Sequence, residues 1–244
     1  MRTLERPTFE TEAGKRLYQY VERHGTAARN RAREATSLSA EEFQDELQRL
    51  TANGYLEDDG GTLKIALDAG AIEEYTGGDL EYTIRPATQA DFEGLVDTIR
   101  DVTAEDTYVV AETIAEQLLY EETINRHNTV NSRVFFLATV DGEVVGWTHL
   151  DLPQTEKLQS AVQLTVGVRE PYRRHGIGDR LLERGLDWAE ANGYRKAYNS
   201  VPTTNDAALE FLEDNGWHTE GIRRNHYTID DQLVDEVMMA YTFE

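Results

Sequence analysis

One segment, residues 164–182, constrains the fold of this chain more than any other. It reads LTVGVREPYRRHGIGDRLL, an apolar run of strand length that passes through a short basic loop into an amphipathic helix. The first turn of a helix leaves backbone N–H groups unpaired at the positive end of the helix dipole, so this junction is suited to bind phosphate. Gly176 and Gly178 flank the start of the helix, where the missing Cβ lets the backbone approach such a ligand closely.

Two common phosphate loops do not fit this segment. No Gly-Lys-Ser/Thr follows, which excludes a P-loop, and Leu181 stands where a dinucleotide-binding fingerprint needs its third glycine. Three basic residues, Arg173, Arg174 and His175, precede the helix in a chain whose formal charge is −22. This local reversal of sign supports an anion site.

The segment is similar to the signature of the GNAT acetyltransferase superfamily, Arg/Gln-x-x-Gly-x-Gly/Ala between the fourth strand and the third helix of that fold. Residues 173–178 read RRHGIG, and the preceding VREPY resembles the usual lead-in. Residues 205–217, NDAALEFLEDNGW, resemble the family's Asn-x-x-Ala…Gly-Phe run, and IRPAT at 84–88 with Asp91 resembles its first strand. The resemblance covers about residues 81–244.

The resemblance implies acetyl-CoA as co-substrate. No metal is expected, because the six histidines lie far apart and none pairs at i, i+4 with a carboxylate motif. Backbone N–H groups of residues 174–179 would hold the coenzyme pyrophosphate, and the strand edge at 166–168 would pair with the pantetheine amides. Asn205 would contact the pantetheine or the thiol, or would simply cap a helix. The residues implied in coenzyme binding are Val166, Gly167, Val168, Arg173, Arg174, His175, Gly176, Ile177, Gly178, Asp179 and Asn205.

The sequence departs from the family where relatives place a tyrosine that protonates the leaving thiolate, because this position is Leu212. Other candidate acids are Tyr198, Ser200, His226 and Tyr227. The general base is equally open: the fourth strand offers Gln163, and Glu121 or Glu122 could act if the fold points them inward. The catalytic residues are therefore unknown.

The second half of the chain predicts a mixed, mostly antiparallel α/β sheet flanked by helices, as in the GNAT fold. Strands are expected at 82–85, 135–140, 144–147, 163–168, 196–201, 218–223 and 237–243, and helices at 91–100, 111–125, 178–191 and 205–214. Asp141-Gly142 is expected to close a hairpin. The acceptor loops are expected at 103–110 and 225–234.

The first half predicts three helices followed by a hairpin, a small α+β unit that resembles a winged helix-turn-helix. A first helix ends near Gly25, a second covers 27–34, and a third is capped by Ser37 or Ser39 and ends at Asn53-Gly54. The hairpin follows at 55–65. We expect a winged-helix-like domain at 1–70, a linker at 71–80 and the acetyltransferase domain at 81–244.

The amino-acid composition excludes several kinds of site and several classes of protein. There is no cysteine, which excludes disulfides, thiolate zinc sites and a cysteine nucleophile. The 46 acidic residues against 24 basic ones, of which only four are lysine, resemble the acidic surfaces of halophile proteins. No apolar run approaches the ~20 residues of a membrane span, and the first twenty residues lack a signal peptide's apolar region. We expect a soluble, cytoplasmic protein with no membrane partner.

Two functions from different classes are consistent with these patterns. The first is an acyl-CoA-dependent N-acyltransferase that most plausibly acetylates an amine of a small molecule or a protein. The second is a transcription regulator whose acetyltransferase half senses acyl-CoA. The helix at 40–46 carries carboxylates on its exposed face, which duplex phosphates would repel, so DNA is an unfavourable partner and protein contact or a homodimer is favoured.

Overall fold

A computed structural model describes residues 7–67, 69–104, 109–128 and 130–243. The helices are α1 (Glu12–His24), α2 (Arg29–Thr36), α3 (Ala40–Ala52), α4 (Phe92–Thr103), α5 (Val109–Glu121), α6 (Ile177–Ala191) and α7 (Asp206–Asp214). The strands are β1 (Thr26–Ala28), β2 (Leu56–Asp59), β3 (Thr62–Ile65), β4 (Glu73–Gly77), β5 (Leu80–Pro86), β6 (Arg126–His127), β7 (Ser132–Val140), β8 (Glu143–Leu152), β9 (Ala161–Val168), β10 (Lys196–Pro202), β11 (His218–Ile229) and β12 (Gln232–Thr242).

Residues 7–67, here called the N-terminal unit, pack α1, α2 and α3 on a three-stranded sheet of order β1-β3-β2. Ser39 rather than Ser37 caps α3, in a capping box in which the Ser39 hydroxyl accepts from the Glu42 N–H and the Glu42 carboxylate accepts from the Ser39 N–H. Strand β1 was not expected from the sequence; it is three residues long and occupies the start of the segment predicted as helix. Glu46, expected on the exposed face of α3, is buried and pairs with Arg49.

The large sheet confirms the expected mixed α/β fold. Eight strands follow the order β11-β12-β10-β9-β8-β7-β5-β4, and β6 adds to β7. Every pair is antiparallel except β9 with β10, which α6 connects. Helices α6 and α7 cover one face, here called the α6 face, and α4 and α5 cover the other, the α5 face.

Residues 71–80, expected to be a linker, contain a strand of this sheet. β4 pairs along its whole length with β5, from Glu73 opposite Ile84 to Gly77 opposite Leu80. β4 lies at the edge of the sheet, where alternate residues are exposed and acids and glycines are tolerated. Its sequence therefore lacks the alternation of apolar and polar residues that would have predicted a strand. Other boundaries differ as well: α5 ends at Glu121, and β8, β11 and β12 are longer than expected.

The N-terminal unit lies directly against the sheet domain through α1. The Tyr18 hydroxyl donates to the His127 carbonyl at 2.6 Å, and the Thr123 hydroxyl donates to the Arg23 carbonyl at 2.9 Å. The buried carboxylate of Glu22 accepts from Arg126 Nε at 2.8 Å. These contacts fix α1 beside the end of α5. Within the described residues, no helix combines the length and the apolar character that a membrane crossing requires.

Candidate active site

The large sheet opens between β9 and β10. The two strands pair only through residues 161–163 with residues 196–198. Beyond that point β9 continues to Val168 beside β8, and β10 continues to Pro202 beside β12. Among the described residues no strand lies between the two diverging segments, so the sheet contains a wedge-shaped gap.

The edge of β9 that faces this gap offers backbone hydrogen-bonding groups. The N–H of Arg169 donates to the Val145 carbonyl at 2.9 Å, toward β8. Backbone groups alternate in direction along a strand, so Val166 and Val168 direct theirs into the gap. The Val168 carbonyl already accepts from Arg173 Nε at 3.0 Å. The groups left facing the gap are those of Val166 and the N–H of Val168, and the pantetheine contact expected of this edge stays a prediction.

Gly167, the third residue of that edge, has a packing role. A Cβ at this position would lie 2.2 Å from Cη2 of Trp147, which is fully buried on the α5 face. The glycine therefore lets the indole ring lie on the strand. Packing against Trp147 is therefore enough to explain why position 167 is a glycine, without any ligand.

The loop that leads into α6 presents unpaired N–H groups at the mouth of the gap. Gly176 is the N-cap with φ +78°, and no side chain caps the helix. Arg174 also has a positive φ, of 67°, so the loop turns sharply before the helix. The first helical bond runs from the N–H of Arg180 to the Gly176 carbonyl at 3.1 Å, which leaves the preceding N–H groups free of helical partners.

Some side chains of the loop are bonded within the protein, and others are free to bind a ligand. Arg173 ties the loop to β9, and His175 Nδ1 lies 2.9 Å from the Arg173 carbonyl. Asp179 accepts from Asn215 at 3.1 Å. Arg174 is exposed and forms no ion pair with any residue in the described part of the chain. Its charge is therefore available to an anion at the start of α6.

Strand β4 packs against this loop. A Cβ on Gly77 would lie 1.9 Å from the His175 carbonyl oxygen, so only glycine permits the observed approach. Two residues of α6 are also held by this region: the Arg180 guanidinium lies 5.1 Å from the centre of the Tyr75 ring, and Arg184 pairs with Glu73 at 2.5 Å. No sequence pattern had predicted this contact.

Asn205 is the N-cap of α7. Its Oδ1 accepts from the N–H of Ala208 at 3.1 Å, and the side chain is buried. Of the two roles expected for this residue, the cap is present, and the coenzyme contact stays a prediction.

On the α5 face, strand register places polar side chains in one row toward the gap. Arg133, Asp151, Gln163 and Tyr198 are successive partners across β7, β8, β9 and β10, so all four lie on the same face. Burial raises the pKa of Asp151, and Arg133 opposes that rise. Ser200 follows Tyr198 on the same face of β10, past the last residue that pairs with β9.

A second polar group lies on β11 and β12. The Tyr227 hydroxyl donates to Glu236 Oε1 at 3.1 Å. Glu236 is only 3% exposed, and its Oε2 lies 2.6 Å from Arg223. Burial raises the pKa of Tyr227, and the nearby Glu236 carboxylate raises it further, so the phenol stays protonated.

An irregularity in β11 places these side chains. Between Arg223 and Tyr227 the strand gains residues relative to β12, and the positive φ of Asn225 together with its N–H bond to Asp235 at 2.8 Å fixes the bulge. Bulges re-aim side chains beside functional sites. Here Tyr227 and Arg223 both reach Glu236 across the strand pair.

The structure separates the candidate acids and bases. Leu212 is buried in the core of the α6 face, away from the polar row. Glu121 pairs with Arg133 at 2.7 Å and with Arg126 at 3.1 Å, which neutralises its charge, and Glu122 is exposed at the end of α5. Two of the candidates, His226 and Tyr227, lie together, with their ring centres 4.9 Å apart, whereas Ser200 stands on β10.

Glu236 was missed by the sequence analysis. Its signal was a carboxylate within the otherwise apolar segment VDEVMMA at 234–240, where Glu236 is buried and the neighbouring Asp235 is not. Of the expected acceptor loops, 225–234 lies in the β11–β12 hairpin, whereas residues 105–108 of the other lie outside the described residues. The described part of the chain contains no group of three or more His, Asp or Glu side chains that could hold a metal ion.

Comparison with known proteins identifies the same region. The model of the Acetyltransferase (GNAT) family matches residues 96–217, half of the chain. The chain is 34% identical over 83 residues to the [ribosomal protein bS18]-alanine N-acetyltransferase of Escherichia coli strain K12, which covers 34% of this chain and 56% of that protein. It is 36% identical over 89 residues to the N-alpha-acetyltransferase RimI of Mycobacterium tuberculosis, covering 36% and 54% respectively. The chain thus spans about half the length of these curated relatives.

A solved structure gives the same fold. The acetyltransferase yncA of Salmonella typhimurium, determined with its cofactor acetyl-CoA, superposes with a TM-score of 0.54 at 16% identity. The match covers 67% of this chain and 94% of that one. At this identity the likeness concerns the fold.

Proposed function

The chain belongs to the acetyltransferase (GNAT) family, and from this premise we propose that it transfers the acetyl group of acetyl-CoA to a primary amine. The amine nitrogen attacks the thioester carbonyl, the C–S bond breaks, and the coenzyme leaves as a thiolate while the nitrogen loses a proton. The observation that carries the proposal is the uncapped start of α6 beside the open edge of β9. Together they match the two chemistries of the coenzyme, a pyrophosphate and an amide-bearing arm.

The residues at the gap explain how the reaction would be assisted. N–H groups at 177–179 and the Arg174 guanidinium bind the pyrophosphate, and the backbone of Val166 orients the amide-bearing arm. Holding the thioester beside a bound amine converts a bimolecular step into one within a complex. A thiol pKa of ~8.5 lets the thiolate leave without a dedicated acid, which is consistent with Leu212 at the family's tyrosine position.

The acceptor is proposed as a primary amine of a protein N-terminus or of a small molecule. The two relatives named above are N-acetyltransferases, and one acts on an alanine of a ribosomal protein. A panel that compares an alanine-starting peptide, free lysine and spermine, with release of free thiol as the readout, separates the two classes. Transfer to none of the tested amines, with acetyl-CoA bound normally, would count against the proposal.

Gly176→Glu tests the coenzyme site. It places a carboxylate where the pyrophosphate is expected, and acetyl-CoA affinity measured by calorimetry should fall by at least a hundredfold. Because Gly176 has φ +78°, the substitution also strains the backbone. Gly54→Glu is the matched control: its φ is +70°, it has nothing within 4 Å of the added Cβ, and it lies in the N-terminal unit. Equal affinities in the two variants would refute the assignment.

For the N-terminal unit we propose a winged-helix-like domain that ends near residue 70 and makes protein contacts. The three helices and the β1-β3-β2 sheet support it. Duplex DNA is a poor partner because two basic residues near α3, Arg29 and Lys64, already pair with Asp58 and Glu57. The exposed acids Glu41 and Asp45 add repulsion.

A further inference from the structure

A cluster of four charged side chains joins the N-terminal unit to the sheet domain. Two are arginines, Arg126 on β6 and Arg133 on β7, which lie directly opposite each other where these strands pair. Two are glutamates, Glu121 at the end of α5 and Glu22 on α1. None of the four side chains is more than 15% exposed. Because charged groups are rarely buried unless they are paired, the four must balance one another.

The charge balance of this cluster depends on Glu22. Glu121 lies 2.7 Å from Arg133 and 3.1 Å from Arg126, so one carboxylate is shared by two guanidinium groups. The carboxylate of Glu22 supplies the second negative charge, 2.8 Å from Arg126 Nε. Like charges opposite each other in a strand pair repel. Without Glu22 the cluster would hold two cations and one anion.

The cluster also fixes the chain where α5 ends. Arg133 Nε donates to the Ile124 carbonyl at 2.7 Å, and a second nitrogen of the same guanidinium donates to the Thr123 carbonyl at 2.5 Å. The segment after α5 is therefore tied to β7. Asn128 Nδ2 donates to Glu22 Oε1 at 2.8 Å, which ties the residue after β6 to α1.

Helix α5 covers the side of the gap from which an amine would arrive. The coenzyme pyrophosphate is proposed at the start of α6, so the coenzyme occupies the α6 side. The amine then reaches the thioester from the α5 face, where α5 lies against β10 and α4 lies against β9. Arg133 begins the row of cross-strand partners that ends at Tyr198 on this face. Movement of α5 or of Arg133 would therefore disturb the acceptor side of the gap.

We propose that the N-terminal unit is a positioning element of the acetyltransferase, in which Glu22 holds α5 and Arg133 in the arrangement that binds the acceptor. This inference rests on the proposed function. Glu22 acts through Arg126 and Glu121 rather than on the reacting atoms. The N-terminal unit thereby contributes to acceptor binding without contacting the gap itself.

Glu22→Gln tests this role, because the amide keeps the size of the side chain and removes its charge. We use the amine of the panel that the wild type acetylates fastest and work well below the Tm of each variant. The acceptor KM should rise about tenfold, since small displacements at a reaction centre cost up to ~10²-fold. The Kd for acetyl-CoA should stay unchanged. An unchanged acceptor KM, or a Kd that rises in parallel, overturns the proposal.

Glu12→Gln is the matched control for Glu22→Gln. Glu12 lies on the same helix, and its side chain is 85% exposed. Its substitution removes the same charge from α1 without touching the cluster, so both the acceptor KM and the Kd for acetyl-CoA should keep their wild-type values. A rise in acceptor KM equal to that of Glu22→Gln would overturn the proposal.

A double variant separates positioning from general weakening of the fold. Arg126→Gln alone leaves Glu22 buried without its cation. Glu22→Gln combined with Arg126→Gln removes one charge of each sign and leaves Glu121 paired with Arg133. The acceptor KM of the double variant should therefore lie closer to wild type than that of either single variant. Losses that multiply would contradict the charge balance on which the proposal stands.

Hydrogen–deuterium exchange gives a readout that needs no acceptor. In Glu22→Gln the amides of α5 should exchange faster than in the wild type, whereas those of α6 should not change. Equal exchange of α5 in the two proteins would overturn the inference, whichever amine is acetylated. Failure of the wild type to bind acetyl-CoA, or to acetylate any amine, would instead overturn the proposed function.

Discussion

At the scale of single residues, the structure distinguishes groups that hold the fold from groups that face the gap. Asp91 was noted in the sequence as part of a family-like first strand. In the structure its carboxylate is clamped by Arg85 through bonds of 2.8 and 2.6 Å and accepts from Thr88. This is a structural role, since the carboxylate caps the turn that starts α4.

The Asp91 clamp predicts a pH-dependent contribution to stability. Burial raises the pKa of Asp91, but hydrogen bonds from Arg85 and Thr88 outweigh it and lower the pKa below its ordinary value. A group with a lowered pKa stabilises the fold above the unfolded pKa of ~3.9 and stops doing so as pH falls through the folded value. Asp91→Asn should therefore reduce the free energy of unfolding by about 2 kcal/mol at pH 7.

Urea denaturation of Asp91→Asn across pH measures this effect. The difference from wild type should narrow as the pH is lowered from about 5 through the folded pKa. Glu93→Gln, an exposed acid in the first turn of the same helix, should change stability by less than about 1 kcal/mol. A difference that is constant with pH would mean that the ionised carboxylate is not what stabilises the turn.

Leu212 also belongs to the fold at this scale. Its side chain is 2% exposed and packs in the core of the α6 face. Leu212→Tyr should overpack that core, lower the free energy of unfolding by about 1–3 kcal/mol and give no gain in kcat. Thermal denaturation and a pH–rate profile check both points. A faster enzyme of unchanged stability would show that position 212 reaches the thiolate after all.

At the scale of elements, the wedge between β9 and β10 and the support from β4 define the site. The wedge follows from register, because the pairing stops after Tyr198 opposite Gln163. Strand β4 lies at the far edge of the sheet, yet it touches the loop before α6. Sequence patterns describe each element by itself and carry little information about such contacts between distant segments.

Gly77→Ala should therefore weaken coenzyme binding without touching the coenzyme. The added methyl would meet the His175 carbonyl at 1.9 Å, and the loop must move to admit it. We expect the Kd for acetyl-CoA to rise about tenfold or more, with kcat at saturating coenzyme nearly unchanged.

Gly78→Ala is the control for the Gly77 experiment. Gly78 has φ +68° and nothing within 4 Å of the added Cβ, so its substitution strains the backbone but leaves the loop in place. It should lower Tm without changing the Kd. Identical Kd values for the two variants would contradict the support role of β4.

At the scale of the whole molecule, the main feature is the large net negative charge. The formal charge of −22 on 244 residues implies self-repulsion, which salt screens as the Debye length falls from ~10 Å at 0.1 M to ~3 Å at 1 M. Tm should rise between these KCl concentrations, and NaCl should act equally at equal ionic strength. A Tm that does not change would remove the halophile hypothesis.

Local sequence patterns were sufficient to predict the strand–loop–helix unit and the fold around it. Gly176 and the basic residues before it are local signals, since backbone conformation and charge act over a few residues. The spacing of apolar residues predicted the helices and most strands for the same reason. The absence of the family's tyrosine at position 212 was also evident from the sequence, because it follows from aligning one motif.

Contacts between distant segments could be seen only in the folded chain. Glu236 lies on the same face of the sheet as Ser200, 36 positions away in sequence, because β10 pairs with β12, and a bulge turns Tyr227 toward Glu236. Gly77 reaches His175 because the sheet order brings β4 alongside the start of α6. Register and burial act between distant segments, so these contacts became visible only once the chain was folded.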